Sequence, residues 1–262
     1  GRMTITATER IARLNDRCRQ GLDANARIMV TRNCLARLSG EGEGIAEILA
    51  QAELLAASGE ALERYGSPGK VWVLKLILTR GAGGRGYRPG AGMEPNLLVS
   101  CSDAPPMPDS AGVVAGFSSV LLTVNPLLAG IKSLNRLEQV MAARELSGDC
   151  FEVLMADAAG HIVEGTRTNL FVLTDEGWIT PPANSVAVAG VMRQLVIERL
   201  QQAGEPFREA SITREQLQPE VCRGLYLTNS VLGVVRVRNL AGQDLPAERS
   251  LATICRLSTT LE

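Results

Sequence analysis

Apolar positions recur at helical spacing early in the chain and crowd into short β-rich runs later. Ile45, Ile48, Leu49 and Ala52 open a helical pattern that continues through Ala61 with glutamates between, and residues 1–64, which hold no aromatic residue, read mostly as helix. Within them the apolar run Ala26–Val30 suits a strand. After the turn signal Gly66–Gly69, VWVLKLILT (71–79) reads as a strand that ends directly in the glycine-rich loop RGAGGRGYRPG (80–90), and NLLVSCS (96–102) is the next strand of a hairpin-like pair.

The stretch DAPPMPDSAG (103–112) is the best linker in the chain, which predicts a small N-terminal α/β domain over 1–105 and a larger C-terminal domain over 112–262. Beyond it VVAGFSSVLLTV alternates as strands do. An apolar approach, Leu127–Ile131, then leads to Lys132 and to a helix patterned by Leu134, Leu137 and Val140 that runs to about Leu146. Strands follow at 151–157, 161–165 and 168–174 with turns at Asp157–Gly160 and Asp175–Gly177. Residues 191–204 form a helix with Leu195, Val196 and Leu200 on one side, SITREQLQP is an N-capped short helix, GLYLTNSVLGVVRV is a pair of buried strands, and AERSLATICRLSTTL closes the chain as a helix. Strands in the middle and helices at the edges make the class α+β, in two parts.

Composition narrows the chemistry. The formal net charge of -1 gives no electrostatic reason to expect nucleic acid or an anionic membrane. No run approaches 18 apolar residues and no basic-then-apolar leader opens the sequence, so a soluble cytoplasmic protein is expected. Six scattered cysteines without a CxxC pair suit reduced thiols, and the single histidine, His161, excludes histidine-based triads and multi-histidine metal sites, so no metal is expected.

Other groups must carry any reaction. Lys132 is one of three lysines, set between an apolar approach and a helix start. Either it snorkels to solvent, or desolvation lowers its pKa and leaves a neutral nucleophilic amine. The loop 80–90 admits an RNA-contacting segment, a phosphate cradle, a plain surface hairpin, or an active-site rim on which Arg80, Arg85 and Tyr87 bind carboxylates. Glu164 ends one strand; it is either a solvated carboxylate or a buried one beside a pyridine ring, whose nitrogen it would keep protonated. Gly190 precedes a helix start whose Val191 and Met192 amides form an anion site if anything binds there. Thr228, Asn229 and Ser230 end an apolar strand, completing a phosphate site or merely terminating the strand.

Together, TRGAGGRGY (79–87), AGIKSLNRLEQV (129–140), VEGTRTNLF (163–171), AGVMRQ (189–194) and YLTNSVLGV (226–234) resemble the fold-type IV pyridoxal-phosphate enzymes, over roughly residues 68–240. Joined to GIKSLNRLEQV, the GGRGY element is most similar to the 4-amino-4-deoxychorismate lyases. The resemblance implies that Lys132 bonds covalently to pyridoxal phosphate and acts as the mobile acid and base. Glu164 pairs with the ring nitrogen, and Gly190, Val191, Met192 and Thr228 hold the phosphate. Arg80, Arg85, Tyr87 and Asn229 would face the substrate, and two subunits would pair as a homodimer.

The N-terminal segment departs from the pattern. Asp16, Arg17 and Gln20 keep the family's DRxxQ, but the GLDAN that follows lacks the aromatic and the second glycine of YGDG. Leu35-Ala36-Arg37-Leu38 matches the HLxRL element with Cys34 in place of histidine, which makes Arg37 a phosphate ligand by resemblance. The implied reaction is conversion of 4-amino-4-deoxychorismate to 4-aminobenzoate and pyruvate, a step of folate precursor synthesis. The alternatives are a branched-chain or D-amino acid aminotransferase of the same fold, and a non-catalytic homologue that binds a small ligand.

Overall fold

The computed structural model describes residues 26–31, 72–79, 82–83, 85–86, 96–123, 125–185 and 188–255. The chain divides into two compact units, Gly1–Pro105 with Lys132–Leu134, and Pro106–Ile131 with Asn135–Glu262. In the first, β1 (Ala26–Thr31) pairs in parallel with β2 (Trp72–Thr79), and β2 pairs antiparallel with β3 (Asn96–Asp103). The run expected at 26–30 is therefore a strand, and the hairpin-like pair forms. The helical reading of the rest of 1–64 lies outside the described residues.

The second unit carries β4 (Val113–Phe117), β5 (Cys150–Ala156), β6 (Ile162–Gly165), β7 (Asn169–Thr174), β8 (Gly177–Thr180), β9 (Phe207–Glu209), β10 (Gly224–Asn229), β11 (Gly233–Leu240) and β12 (Gln243–Asp244). Among the described residues these form one mixed sheet in the order β6-β5-β4-β11-β10-β7-β8-β9, with β12 added to β11. Three helices accompany it, α1 (Leu137–Ala143), α2 (Val191–Gln202) and α3 (Leu251–Ile254). The α+β class read from the sequence holds.

Strands β7 and β10 lie at the centre and read as unbroken apolar runs because each of their faces is buried. Leu170, Val172, Leu225 and Leu227 join Val235 and Val237 in one apolar cluster. Alternate residues Phe171, Leu173 and Tyr226 pack on the opposite side against Val196, Ile197 and Leu200 of α2 and Leu251 of α3. The Trp178 and Tyr226 rings meet at 5.7 Å, and the Tyr226 hydroxyl donates to the Arg249 carbonyl at 2.6 Å, so the one polar atom of that ring is satisfied. The β5–β6 turn forms where Asp157-Ala-Ala-Gly160 predicts it. The Asp157 carboxylate accepts from the Ala159 and His161 amides, each at 2.9 Å.

Several boundaries differ from expectation. Beyond Phe117 the strand reading of VVAGFSSVLLTV ends, although the Ser118 and Leu122 amides still bond the carbonyls of Leu154 and Ala156 at 2.8 Å. Helix α1 stops at Ala143 and buries Gln139 and Ala142 while Leu137 and Val140 face outward, so its apolar pattern does not mark the inward face. In α2, Arg193 and Ile197 are buried and Leu195 is only half-buried. SITREQLQP is no N-capped α-helix but a single 3-10 turn, Glu215–Leu217, without a side-chain cap. Gln218 is extended at φ -71 and ψ 147, as a residue before proline prefers, and this stops the turn short.

Leu227 is fully buried in a central strand. Leu227→Ala should lower unfolding stability by about 2–5 kcal/mol in urea titrations, whereas Met107→Ala in the exposed linker should change it by less than about 0.5 kcal/mol.

Candidate active site

A β-bulge aims Glu164. Ile162 pairs with Ala156 on β5, but Glu164 pairs with Met155, so Val163 is an extra residue in β6. Without it the period-two alternation would put Glu164 on the face of Ile162, in the large apolar cluster; with it Glu164 lies on the face of Met155. The carboxylate is 3% exposed, and its Oε2 accepts the Val188 N–H at 2.9 Å.

Asn169, the first residue of β7, holds the other backbone group of the same residue. Its Nδ2 donates to the Val188 carbonyl at 2.7 Å, and its Oδ1 accepts the Gly190 N–H at 3.2 Å. Gly190 is the extended N-cap of α2. A Cβ there would collide with Asn169 Oδ1, so only glycine lets the helix start approach β7 this closely. The first-turn amides of Val191 and Met192 have no acceptor within the helix by construction.

Thr228 is the cross-strand partner of Asn169, so their side chains project from the same face. Thr228 is 1% exposed and its Oγ1 has no hydrogen-bond partner among the described residues. A buried hydroxyl left unpaired costs free energy, and here it lies beside the start of a helix. Next to it, Asn229 Oδ1 accepts the Val231 and Leu232 amides at 2.9 and 2.8 Å, which turns β10 into β11.

Lys132 is half-buried. The residues before it are anchored in the second unit, where the Gly130 carbonyl accepts the Ala189 N–H at 3.0 Å and the Ile131 carbonyl accepts Arg136 Nη2 at 2.9 Å. Burial pulls the Arg136 guanidinium below its ordinary value, while the Glu164 and Glu138 carboxylates push it back up. Gly130 and Ile131 are thus tied, within the second unit, to Ala189 and to Arg136. Arg85 lies exposed in the other unit, and Arg37, Arg80 and Tyr87 lie outside the described residues.

The cluster that forms therefore unites Glu164, Asn169, Gly190, Val191, Met192 and Thr228. Two braces escaped sequence reasoning. Arg193, 2% exposed, donates to the Pro181 carbonyl at 2.7 Å and pairs with Glu209 at 3.3 Å, while Glu209 accepts the Ala183 amide at 3.0 Å. Glu152, fully buried in β5, gathers the turn between β6 and β7. A lone charge inside an apolar strand or helix face was the available signal for each. Burial pushes the Cys222 and Cys255 thiols up to about 11, so neither is a nucleophile near neutral pH. Among the described residues no three His, Cys, Asp or Glu side chains gather as a metal site, and no helix is long and apolar enough to cross a membrane.

The sequence profile of the amino-transferase class IV family matches residues 43–240. The chain belongs to that family. An aminodeoxychorismate lyase of Vibrio harveyi is 35% identical over 175 residues, 65% of this chain and 64% of the relative. A D-alanine aminotransferase of Bacillus licheniformis is 27% identical over 66% of this chain and 60% of its own length. The chain thus matches less than two thirds of the length of either curated relative. Among solved structures, 4-amino-4-deoxychorismate lyase from Pseudomonas aeruginosa superposes with a TM-score of 0.70 at 33% identity, covering 83% of this chain and 77% of that one. The α+β arrangement is accordingly the fold-type IV architecture expected from the motifs.

Removing the orphan hydroxyl should be harmless to a class IV chain without ligand. Thr228→Val is expected to keep or raise unfolding stability by up to about 1 kcal/mol, and Gly190→Ala to lower it by about 1–3 kcal/mol, in the same urea titration.

Proposed function

We propose that this chain is a pyridoxal-phosphate-dependent lyase that converts 4-amino-4-deoxychorismate to 4-aminobenzoate and pyruvate. The observation that carries the cofactor is the buried Thr228 hydroxyl, unpaired among the described residues and across the strand pair from the residue that holds the α2 start. A phosphate monoester accepts hydrogen bonds from such a hydroxyl and from first-turn amides. The donor set therefore fits the phosphate, with Gly190, Val191, Met192 and Thr228 as its holders and Arg37 as a further ligand. Glu164 fits a protonated pyridine nitrogen, because a buried carboxylate prefers a charge-assisted partner.

When bound, pyridoxal phosphate supplies an electron sink for the carbon that carries the substrate nitrogen. The chain's own residues do the rest. Lys132 Nζ holds the cofactor and then moves the proton from that carbon, while Glu164 keeps the ring nitrogen protonated. Arg80 and Arg85 offer guanidinium groups to the substrate carboxylates, with Tyr87 and Asn229 beside the substrate. Loss of the enolpyruvyl group as pyruvate aromatises the ring. The lyase reading over the aminotransferase rests on GGRGY and GIKSLNRLEQV and on the two lyase relatives; the D-alanine aminotransferase relative keeps the second reading in play.

Lys132→Ala should lower 4-aminobenzoate release at least about 10²–10⁴-fold, and Thr228→Val should weaken pyridoxal phosphate binding without loss of stability. Pyruvate released at the normal rate by Lys132→Ala would refute the mechanism. Amino-group exchange between an amino acid and 2-oxoglutarate, without pyruvate from the chorismate derivative, selects the aminotransferase. Cofactor binding with neither activity selects the non-catalytic homologue.

The chain is proposed to work as a cytoplasmic homodimer. Leu137, Val140 and Met141 share one outward face of α1 at 67, 58 and 50% exposure, and Leu127 and Leu128 are exposed before it. Sedimentation should give twice the 28.0 kDa chain mass, and Leu137→Glu with Val140→Glu should reduce it to one chain. An unchanged mass in that variant places the interface elsewhere.

A further inference from the structure

Glu152 is a charged residue in the middle of the sheet that the proposed reaction does not use. It is fully buried, on the face of β5 that also carries Leu154 and Ala156 into the large apolar cluster. A carboxylate placed there without partners would cost several kcal/mol. Its partners come from one short stretch of chain. Oε1 accepts the Thr166 N–H at 3.0 Å and the Thr166 hydroxyl at 2.6 Å, besides the neighbouring Val153 N–H at 3.2 Å. Oε2 accepts the Thr168 hydroxyl at 3.0 Å and the Arg167 N–H at 3.3 Å.

This stretch is the turn that joins β6 to β7, closed by the Gly165 N–H on the Thr168 carbonyl at 2.8 Å. Gly165 is required here because a Cβ would lie 2.7 Å from Glu152 Cγ and Cδ. Arg167 adds a second tie to β5, donating from Nη2 to the Phe151 carbonyl at 3.1 Å with its guanidinium 4.9 Å from the centre of the Phe151 ring. The turn is flanked immediately by Glu164 on one side and Asn169 on the other, the two residues that hold Val188 by its N–H and its carbonyl.

We propose that Glu152 is a positioning residue for the cofactor site: its carboxylate gathers the Thr166–Thr168 turn and thereby fixes the separation and aim of Glu164 and Asn169. The hydroxyls of TRT serve this carboxylate and not the ligand. The role rests on the proposed function in so far as Glu164 and Asn169 border pyridoxal phosphate. Glutamine tests it without changing volume. Its amide nitrogen must replace one carboxylate oxygen, where the threonine hydroxyls can rotate to accept but the Thr166 and Arg167 amides cannot.

The experiment uses the full chain, first without added cofactor and then titrated with pyridoxal phosphate. In Glu152→Gln the Thr166 and Arg167 amides should exchange hydrogen about tenfold faster or more, with Leu225 and Leu227 unchanged. The dissociation constant for pyridoxal phosphate, read from its visible absorbance, should rise about tenfold, the lower end of what loss of an outer-shell partner costs at a bound group. Thr168→Val removes one of the hydroxyl donors and should shift both readouts the same way by less, which keeps the test available if the glutamine variant does not fold. Glu176→Gln, whose side chain is 73% exposed in an ion pair with Arg208, should match wild type in both. Wild-type affinity in the folded variant, or unchanged exchange in the turn, overturns the positioning role and leaves the functional proposal standing. A wild-type chain that takes up no pyridoxal phosphate overturns the functional proposal itself, and the positioning role with it.

Discussion

Val188 is held by both of its backbone polar groups, the N–H by Glu164 and the carbonyl by Asn169. Those two residues belong to different strands, and Val188 belongs to the loop that leads into α2. One residue, through the two peptide groups on either side of its Cα, thus ties together the end of β6, the start of β7 and the loop that starts α2. Because buried polar groups must be paired, none of the three can shift without breaking a bond that water does not replace. The Asn169 carboxamide extends the constraint to Gly190, and the Ala189 N–H extends it to Gly130, two residues before Lys132.

Buried charges reinforce the arrangement from behind. Arg193 and Glu209 hold the 181–183 segment against the first turn of α2, and Glu152 holds the β6–β7 turn. Arg193 and Glu152 are expensive to bury and each is matched by groups from a loop, while Glu209, 36% exposed, completes the ion pair with Arg193. Two loops, the 181–183 segment and the β6–β7 turn, are fixed in this way by side chains from α2, β9 and β5. Around this frame the apolar clusters supply bulk stability, and the polar set supplies the particular geometry.

The motifs quoted from the sequence proved readable because each combines a strand or helix rhythm with a residue that breaks it. Glu164 and Asn169 interrupt apolar runs, Gly190 precedes a helical pattern, and Thr228 ends a strand; all four meet in the second unit. Glu152 and Arg193 break the same rhythm, yet no local pattern names their long-range partners, which lie 12 to 16 residues away. Helix α1 shows the opposite failure: Leu137 and Val140 keep a helical period but face outward, because period marks a face and not which side the rest of the chain will cover. Arg37, Arg80 and Tyr87 stay as the motifs left them, being outside the described residues.

By itself the sequence determined the α+β class, the places of β2 to β7, of β10 and β11 and of the three helices, the family, and the identity of the residues that gather at the start of α2. These follow from local spacing, from the stiffness of β-branched runs and from the freedom of glycine at a close approach. The tertiary structure decided the direction of each group. The bulge at Val163 turns Glu164 off the face of the large apolar cluster, the pairing of β7 with β10 sets Thr228 beside Asn169, and the buried carboxylate of Glu152 binds the turn between Glu164 and Asn169. Period-two alternation assigns a residue to one face only while the register is unbroken, and the register is a property of the partner strand.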